Sequence, residues 1–350
     1  TPTMVHEVGT QFIDPGATAL DQNDQSITVD VEGSVDVFKT GVYTLIYNAQ
    51  DDQGNVAEGL TRQVWVVDEN YKYLSYFIDG DEVLITDCDT AAAGELMIPA
   101  FIEGLPVVAI GANAFADCNN LTGIQLPDSI REISESSFQN CSNLLGMELP
   151  EGLMRIPKNA FRNCQNLQSI HIPDGVIAIG IEAFRDCREL NSVTLPFGLK
   201  AIETYAFVSC HKLATIHFPS SLTDFGWGVF EDCKSLEVIS IPEEVKAING
   251  TLFYNCSNLR DVYFPSSLKQ FTSEVFLQCT SLSKIYFEGN APSYDQNLFR
   301  GVPGGAKIYV NSGASGFGAF YSGLPVLLDP VVALEGERVI RHRAGRAFVD

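Results

Sequence analysis

The feature that most constrains this chain is a period of 23 residues. Phenylalanine recurs at Phe115, Phe138, Phe161, Phe184, Phe207, Phe230, Phe253, Phe276 and Phe299. Three residues after each of the first eight comes a cysteine: Cys118, Cys141, Cys164, Cys187, Cys210, Cys233, Cys256 and Cys279. Three further on stands a leucine, from Leu121 to Leu282, and then two alternating apolar positions that begin with Ile124 and Leu126. Seven prolines, Pro127 to Pro265, keep the same step. The resulting unit is F-x-x-C-x-x-L-x-x-I-x-L-P-x-x-L-x-x-I. A period in the twenties with this spacing describes one coil of a solenoid, because a single coil cannot bury its own apolar face and must stack on neighbours. The I-x-L segment alternates, so its apolar residues point inward and the residue between them points out. Proline fits just after such a short strand, where no ladder N–H is required.

One cysteine per coil admits three readings: a metal array, a disulfide ladder, or a column of small buried side chains. Stacked coils lie about 4.8 Å apart, which brings successive Cα atoms near disulfide range. Equivalent side chains in stacked coils run parallel, however, so their Cβ atoms stay about as far apart as the Cα atoms and beyond the roughly 3.5–4.5 Å that a disulfide prefers. A zinc site needs converging ligands, and a one-dimensional column does not converge. The core column is the favoured reading, since free cysteine packs as a small hydrophobe. The phenylalanines are expected to form a stacked, buried spine.

Eight phased units of this kind, with "IPAFIEGLPVVAIGANAF" at 98–115 leading in, resemble the BspA-like leucine-rich repeats of bacterial surface proteins. The resemblance spans about residues 73–325. "YLSYFIDGDEVLIT" resembles the family's N-terminal hairpin and "AKIYVNSGASGFGAFYSGLP" its closing coil, while Glu288 stands where an eighth proline would fall. The family implies surface-exposed or secreted proteins that bind protein or matrix, and it supplies no catalytic residues.

Residues 1–68 read differently. "SITVDVEG", "GVYTLIYNAQD" and "LTRQVWVVD" alternate with period two and are separated by turn residues such as "DQGN", the pattern of short antiparallel strands in a small β-sandwich. The segment resembles the bacterial Ig-like modules that serve as spacers in surface proteins. Residues 336–350 align with the chain's own start: Gly345, Phe348, Asp350 and His342 match Gly9, Phe12, Asp14 and His6. The expected organisation is therefore a mainly β chain: an Ig-like β-sandwich at 1–68, a leucine-rich-repeat solenoid with 23-residue coils and two caps at 69–328, and the start of a second, truncated Ig-like module at 329–350. The chain is expected to be one excised unit of a longer protein. It is expected to be mostly monomeric, with head-to-tail association through residues 336–350 at high concentration.

Composition removes some functions. With 22 Lys+Arg against 44 Asp+Glu the formal charge is −22, which disfavours nucleic acid and anionic lipid as partners. No apolar run approaches the roughly 18 residues of a membrane span, so direct membrane insertion is not expected. The five histidines, His6, His171, His211, His217 and His342, form no H-E-x-x-H motif, and neither a G-x-S-x-G nor a P-loop occurs. The expectation is that the chain is not an enzyme. No cofactor is expected, apart from calcium as the lesser reading of Asp21, Asp24, Asp51 and Asp52 in the Ig-like segment, whose alternative role is to shape turns. The sequons at Asn140, Asn249 and Asn255 read as accidental in a bacterial chain.

The candidate binding surface is the outward residue of each I-x-L segment: Gln125, Glu148, His171, Thr194, His217, Ser240, Tyr263 and Tyr286. Inward positions barely vary between coils, whereas these change from coil to coil, as on a recognition face carried by a rigid scaffold. Unconstrained surface would vary as well. The two tyrosines lie in adjacent coils and suit an interface. Replacing both with serine is expected to weaken partner binding without shifting the melting temperature. Adhesion or protein binding at the bacterial surface or outside the cell, to a protein, matrix or glycan ligand, is the leading expectation. A rigid spacer in a surface fibre, or an accessory module of a larger secreted enzyme, is the alternative.

Overall fold

The structure is a computed structural model that describes residues 3–8, 11–20, 25–39, 41–51, 53–57, 59–67, 72–272, 274–294 and 297–329. The expected second module at 329–350 and its head-to-tail contact fall, but for Asp329, outside the described residues.

The N-terminal segment forms a four-stranded sheet in the order Thr3–Glu7, Leu60–Val67, Gly41–Ala49, Val29–Glu32, with a separate two-stranded ribbon of Ala19–Leu20 and Ser26–Ile27. The three segments that alternation marked as antiparallel strands pair that way, Val29–Glu32 with Gly41–Ala49 and Gly41–Ala49 with Leu60–Val67, whereas Thr3–Glu7, outside that pattern, runs parallel to Leu60–Val67. The core is small, centred on Leu45, Tyr47 and Val64 with Phe12, Val29 and Val35 around them. A polar network supports it at one side. Asp14 accepts hydrogen bonds from Tyr47 Oη (2.7 Å) and Arg62 Nη1 (2.6 Å), and Arg62 Nη2 donates to the Gly16 carbonyl at 3.1 Å. Burial acts to raise the Asp14 pKa, but hydrogen bonds from Tyr47, the Gly16 N–H and Arg62 outweigh it and hold the carboxyl below its ordinary value.

From Leu74 onward the chain is a solenoid with one continuous apolar core running to Leu324. It begins with an antiparallel hairpin, Leu74–Asp79 with Glu82–Cys88, whose tight turn places Gly80 at φ +59°, where glycine carries no steric cost. The strand Glu82–Cys88 then pairs in parallel with Leu105–Ile110, so the hairpin serves as the template on which the first coil stacks.

Each coil contributes to two rows of parallel strands. The first row holds the I-x-L segments, among them Leu121–Gln125, Ser169–His171, Ser192–Thr194, Val238–Ser240, Asp261–Phe264 and Lys284–Phe287. Pairing is in register across each 23-residue step, as in Ser169↔Ser192 and Tyr263↔Tyr286. The second row consists of two-residue strands around the last isoleucine of the motif, such as Arg155–Ile156, Ala178–Ile179 and Ala201–Ile202. Between the rows each repeat proline accepts a hydrogen bond from the N–H three residues on, as Ile130 to Pro127 at 3.1 Å. Glu288, in the place of the eighth proline, uses the N–H that proline lacks to reach the Phe264 carbonyl at 3.1 Å.

The third side of the coil is a corner with two left-handed residues four apart. One column runs Asn113, Ser136, Asn159, Glu182, Tyr205, Gly228, Thr251, Glu274, Asn297, and the other Asp117, Asn140, Asn163, Asp186, Ser209, Asp232, Asn255, Gln278, with φ between 54° and 77°. Asparagine and aspartate tolerate this region best, and they also ladder between coils: Asn140 Nδ2 donates to Asp117 Oδ1 (2.7 Å) and Asn163 Nδ2 to Asn140 Oδ1 (3.0 Å).

Inside that corner lies the aromatic spine. Neighbouring rings from Phe115 to Phe299 stack with centroids 5.2–6.0 Å apart and interplanar angles of 1–22°. All nine cysteines are buried and unpaired. Their strict register has a specific cause. From Cys141 to Cys279 each thiol donates to the carbonyl of the phenylalanine one coil earlier, at 3.0–3.3 Å. That same carbonyl also accepts the N–H of the cysteine in its own coil, as Cys141 N to Phe138 O at 3.2 Å. A small side chain that packs as a hydrophobe yet carries one weak donor satisfies this spot in every coil. Burial pushes the interior thiols up, Cys279 to about 12, so they stay protonated and keep the donor.

Candidate functional site

The I-x-L row exposes two columns of side chains rather than one. The residues between the inward positions form the first: Gln125, Glu148, His171, Thr194 and His217 are exposed, and Ser240, Tyr263 and Tyr286 are half-buried. The second stands two residues earlier in each coil and reads Gly123, Gly146, Ser169, Ser192, Thr215, Val238, Asp261, Lys284, Lys307. It escaped the sequence reading because the motif carries no fixed residue type there.

Together the columns divide the face into two halves. In the N-terminal half the second column is glycine and serine, and the low side chains leave a hollow of about 670 Å³. Gln125, Glu148, His171 and Thr194 line it, with Glu95 at its far end. A smaller hollow of about 390 Å³ continues from Thr194 to His217, and its rim carries Phe197, which is 82% exposed. Amide, carboxylate, imidazole and hydroxyl groups thus converge on one elongated, open trough. All four residues from Gln125 to Thr194 share the first hollow, Thr194 and His217 share the second, and Ser240 lines neither.

In the C-terminal half the face becomes aromatic. Tyr263 and Tyr286 stack at 4.5 Å with an interplanar angle of 2°, and Tyr309 extends the stack at 5.0 Å and 21°. Tyr309 stands 23 residues after Tyr286 and pairs with it in register, yet its coil lacks both F-x-x-C and the following proline, so the repeat did not point to it. Desolvation by these neighbours, with Asp261 nearby, raises the Tyr263 hydroxyl pKa, and burial raises that of Tyr286 further, so both remain proton donors. Stacked rings present edges and hydroxyls outward, which suits hydrogen bonding more than face-on stacking of a ligand. Because the rings support one another, serine at both Tyr263 and Tyr286 removes a pair worth about 0.5–1.5 kcal/mol. The expected unchanged melting temperature therefore does not fit this geometry, and tyrosine-to-phenylalanine is the cleaner probe.

Of the carboxylates considered for calcium, Asp21, Asp24 and Asp52 lie outside the described residues. Asp51 Oδ1 accepts the N–H groups of Gln53 (3.0 Å) and Asn55 (2.8 Å), and Oδ2 accepts Asn55 Nδ2 at 2.8 Å. Hydrogen bonds from Asn55 hold its carboxyl below the ordinary value. Among the described residues no group of three or more His, Cys, Asp or Glu is placed to hold a metal ion, and no helix is long and apolar enough to cross a membrane.

Comparison with known proteins agrees with the coil geometry. Residues 108–237 and 178–304 match the model of the BspA type leucine rich repeat region, in six copies. The chain belongs to the BspA-type leucine-rich repeat family. Residues 1–66 match the Ig-like domain of bacterial surface proteins. A leucine-rich repeat protein from Bacteroides ovatus is a similar solved structure, 26% identical over 70% of each chain with a TM-score of 0.57. The T. pallidum leucine rich repeat protein is 27% identical, covering 66% of this chain and 89% of that one, with a TM-score of 0.38. A leucine rich cell surface protein from Faecalibacterium prausnitzii is 20% identical, covering 62% and 94%, with a TM-score of 0.33. No curated protein matches the chain. The BspA-type coil explains why the inward columns are so regular, and leaves the two outward columns outside the repeated motif.

Proposed function

We propose that this BspA-type chain is a non-catalytic module for adhesion or protein binding that works at the bacterial surface or outside the cell, and that the two outward columns of the I-x-L row form its binding face. A contrast between the two sides of the same strands supports this reading. Ile170, Val262 and Ile285 face a nearly uniform core, while Ser169/His171, Asp261/Tyr263 and Lys284/Tyr286 on the other side change chemistry from coil to coil. The contiguous trough and the tyrosine stack give that variation a shape, and stacked coils hold it rigid. The match to a bacterial surface Ig-like domain supports the location.

The test is a binding panel of extracellular matrix and cell-surface proteins, run with the native chain and with a variant carrying Glu148→Lys, His171→Ala and Tyr286→Phe. Binding to a panel member that falls at least tenfold in the variant, with the melting temperature held, is the expected result. Equal binding by both chains would move the site off this face. A spacer role has one observation in its favour, the single unbroken core from Leu74 to Leu324, which makes the solenoid one stiff body.

A further inference from the structure

The trough over the N-terminal half of the I-x-L row has a low floor that the backbone itself does not require. Gly123 and Gly146 stand at outward positions, bridge each other in parallel register, and neither has the positive φ that calls for glycine. At Gly123 the missing Cβ makes room for the Glu95 side chain, whose Cγ would lie only 3.2 Å from it. At Gly146 a Cβ would meet nothing nearer than the Ser169 carbonyl oxygen at 3.8 Å, so the space above it is open. A glycine inside a strand is a recurrent mark of close approach by a ligand or another backbone.

The walls of this trough carry one sign of charge. Glu95 and Glu148 line the larger hollow. Phe197 rims the smaller one, and the same place in the three preceding coils holds Asp174, Glu151 and Asp128. All five carboxylates are exposed, and among the described residues none has an ion pair or a side-chain hydrogen bond. Basic residues of these coils are engaged on other sides: Arg131 with Glu82, Arg155 with Glu203 and Arg162 with Glu182. No lysine or arginine lines either hollow. The carboxylates follow one another along the solenoid axis instead of converging on a point, an arrangement for an extended polycation and not for a single metal ion.

We propose, on the reading of the I-x-L row as the binding face, that the trough holds an extended basic peptide segment laid along the solenoid axis. Its length follows from the coil spacing. The hollows run from the coil of Glu95 to that of His217, a span of about 24 Å at the strand spacing of stacked coils, which matches about seven extended residues. Lysine or arginine side chains of the peptide pair with the five carboxylates and relieve their mutual repulsion. The Gln125 amide and the hydroxyls of Ser169, Ser192 and Thr194 meet its peptide groups. The exposed ring of Phe197 offers a face to a guanidinium or an ammonium at one end. The open floor at Gly146 lets the peptide backbone come close to the strands.

Fluorescence anisotropy of a labelled heptapeptide of alternating lysine and serine, titrated with the full chain at low salt, tests the assignment. One variant carries Glu95→Gln, Glu148→Gln and Glu151→Gln in the trough. A charge-matched variant carries Asp81→Asn, Glu132→Gln and Glu244→Gln, three exposed carboxylates on other sides of the chain. The native chain and the charge-matched variant should bind the peptide alike, and the trough variant about tenfold more weakly. Gly146→Val keeps the charge, fits the strand and fills the floor, so it should also weaken binding while the melting temperature holds. Absence of binding, equal loss in the two charge variants, binding indifferent to Gly146→Val, or spermine held as tightly as the peptide would overturn the assignment. A matrix or cell-surface protein that binds this row when the peptide does not would remove the basic peptide as ligand and leave the binding face in place.

Discussion

Removing one ring from the middle of the spine should cost more than removing one from its end. Phe184 is fully buried, with Phe161 stacked at 5.3 Å on one side and Phe207 at 5.2 Å on the other. Phenylalanine-to-alanine changes in cores cost about 3–5 kcal/mol, and each lost ring pair adds about 0.5–1.5 kcal/mol beyond area burial. Phe184→Ala loses two pairs and leaves a gap that both neighbouring coils border, so a loss near 5 kcal/mol is expected. Phe299 has a single stacked neighbour, Phe276 at 5.6 Å, and is 7% exposed, which places Phe299→Ala nearer 3 kcal/mol. Phe184→Leu keeps most of the volume and should cost about 1–2 kcal/mol. Urea unfolding followed by circular dichroism gives the order of midpoints: native, Phe184→Leu, Phe299→Ala, Phe184→Ala. Equal midpoints for the two alanine variants would mean that the rings are independent fillers rather than a coupled spine.

Two further outcomes follow from local geometry. Thr251 is β-branched at φ +59° with a buried, unbonded hydroxyl, where other coils place Asn113, Asn159 and Asn297, so Thr251→Asn should raise stability by about 1 kcal/mol in the same urea assay. Asp14 has a lowered pKa in the folded Ig-like module, so its contribution is fully present above the ordinary carboxylate value of 3.8 and is lost as pH falls through the lower folded value. Asp14→Asn should therefore cost the module about 1–2 kcal/mol at neutral pH, allowing for its partial exposure, and the gap to the native chain should narrow below about pH 4 in a pH-dependent melt.

The inward columns were readable because a period of 23 repeats the same steric demand eight times, at Phe184 and Cys187 as at Phe115 and Cys118. The second strand row was not, since two-residue strands such as Ala178–Ile179 are too short to show alternation. Sequence could place the cysteines in the core but not say why cysteine was kept, because the acceptor of each thiol lies 26 residues away in the previous coil. The outward face was half legible. Its first column follows from the phase of I-x-L, whereas the Gly123–Ser192 floor and Tyr309 depend on which side chains stacking brings together.

Hydrogen exchange on a complex with the first panel protein that binds would test the binding face most directly. The account predicts slowed exchange confined to the I-x-L row, at residues 123–125, 169–171 and 192–194 or at 261–264, 284–287 and 307–310. Protection that leaves this row unchanged and falls instead on the Asp117–Gln278 corner or on the Ig-like module would contradict it.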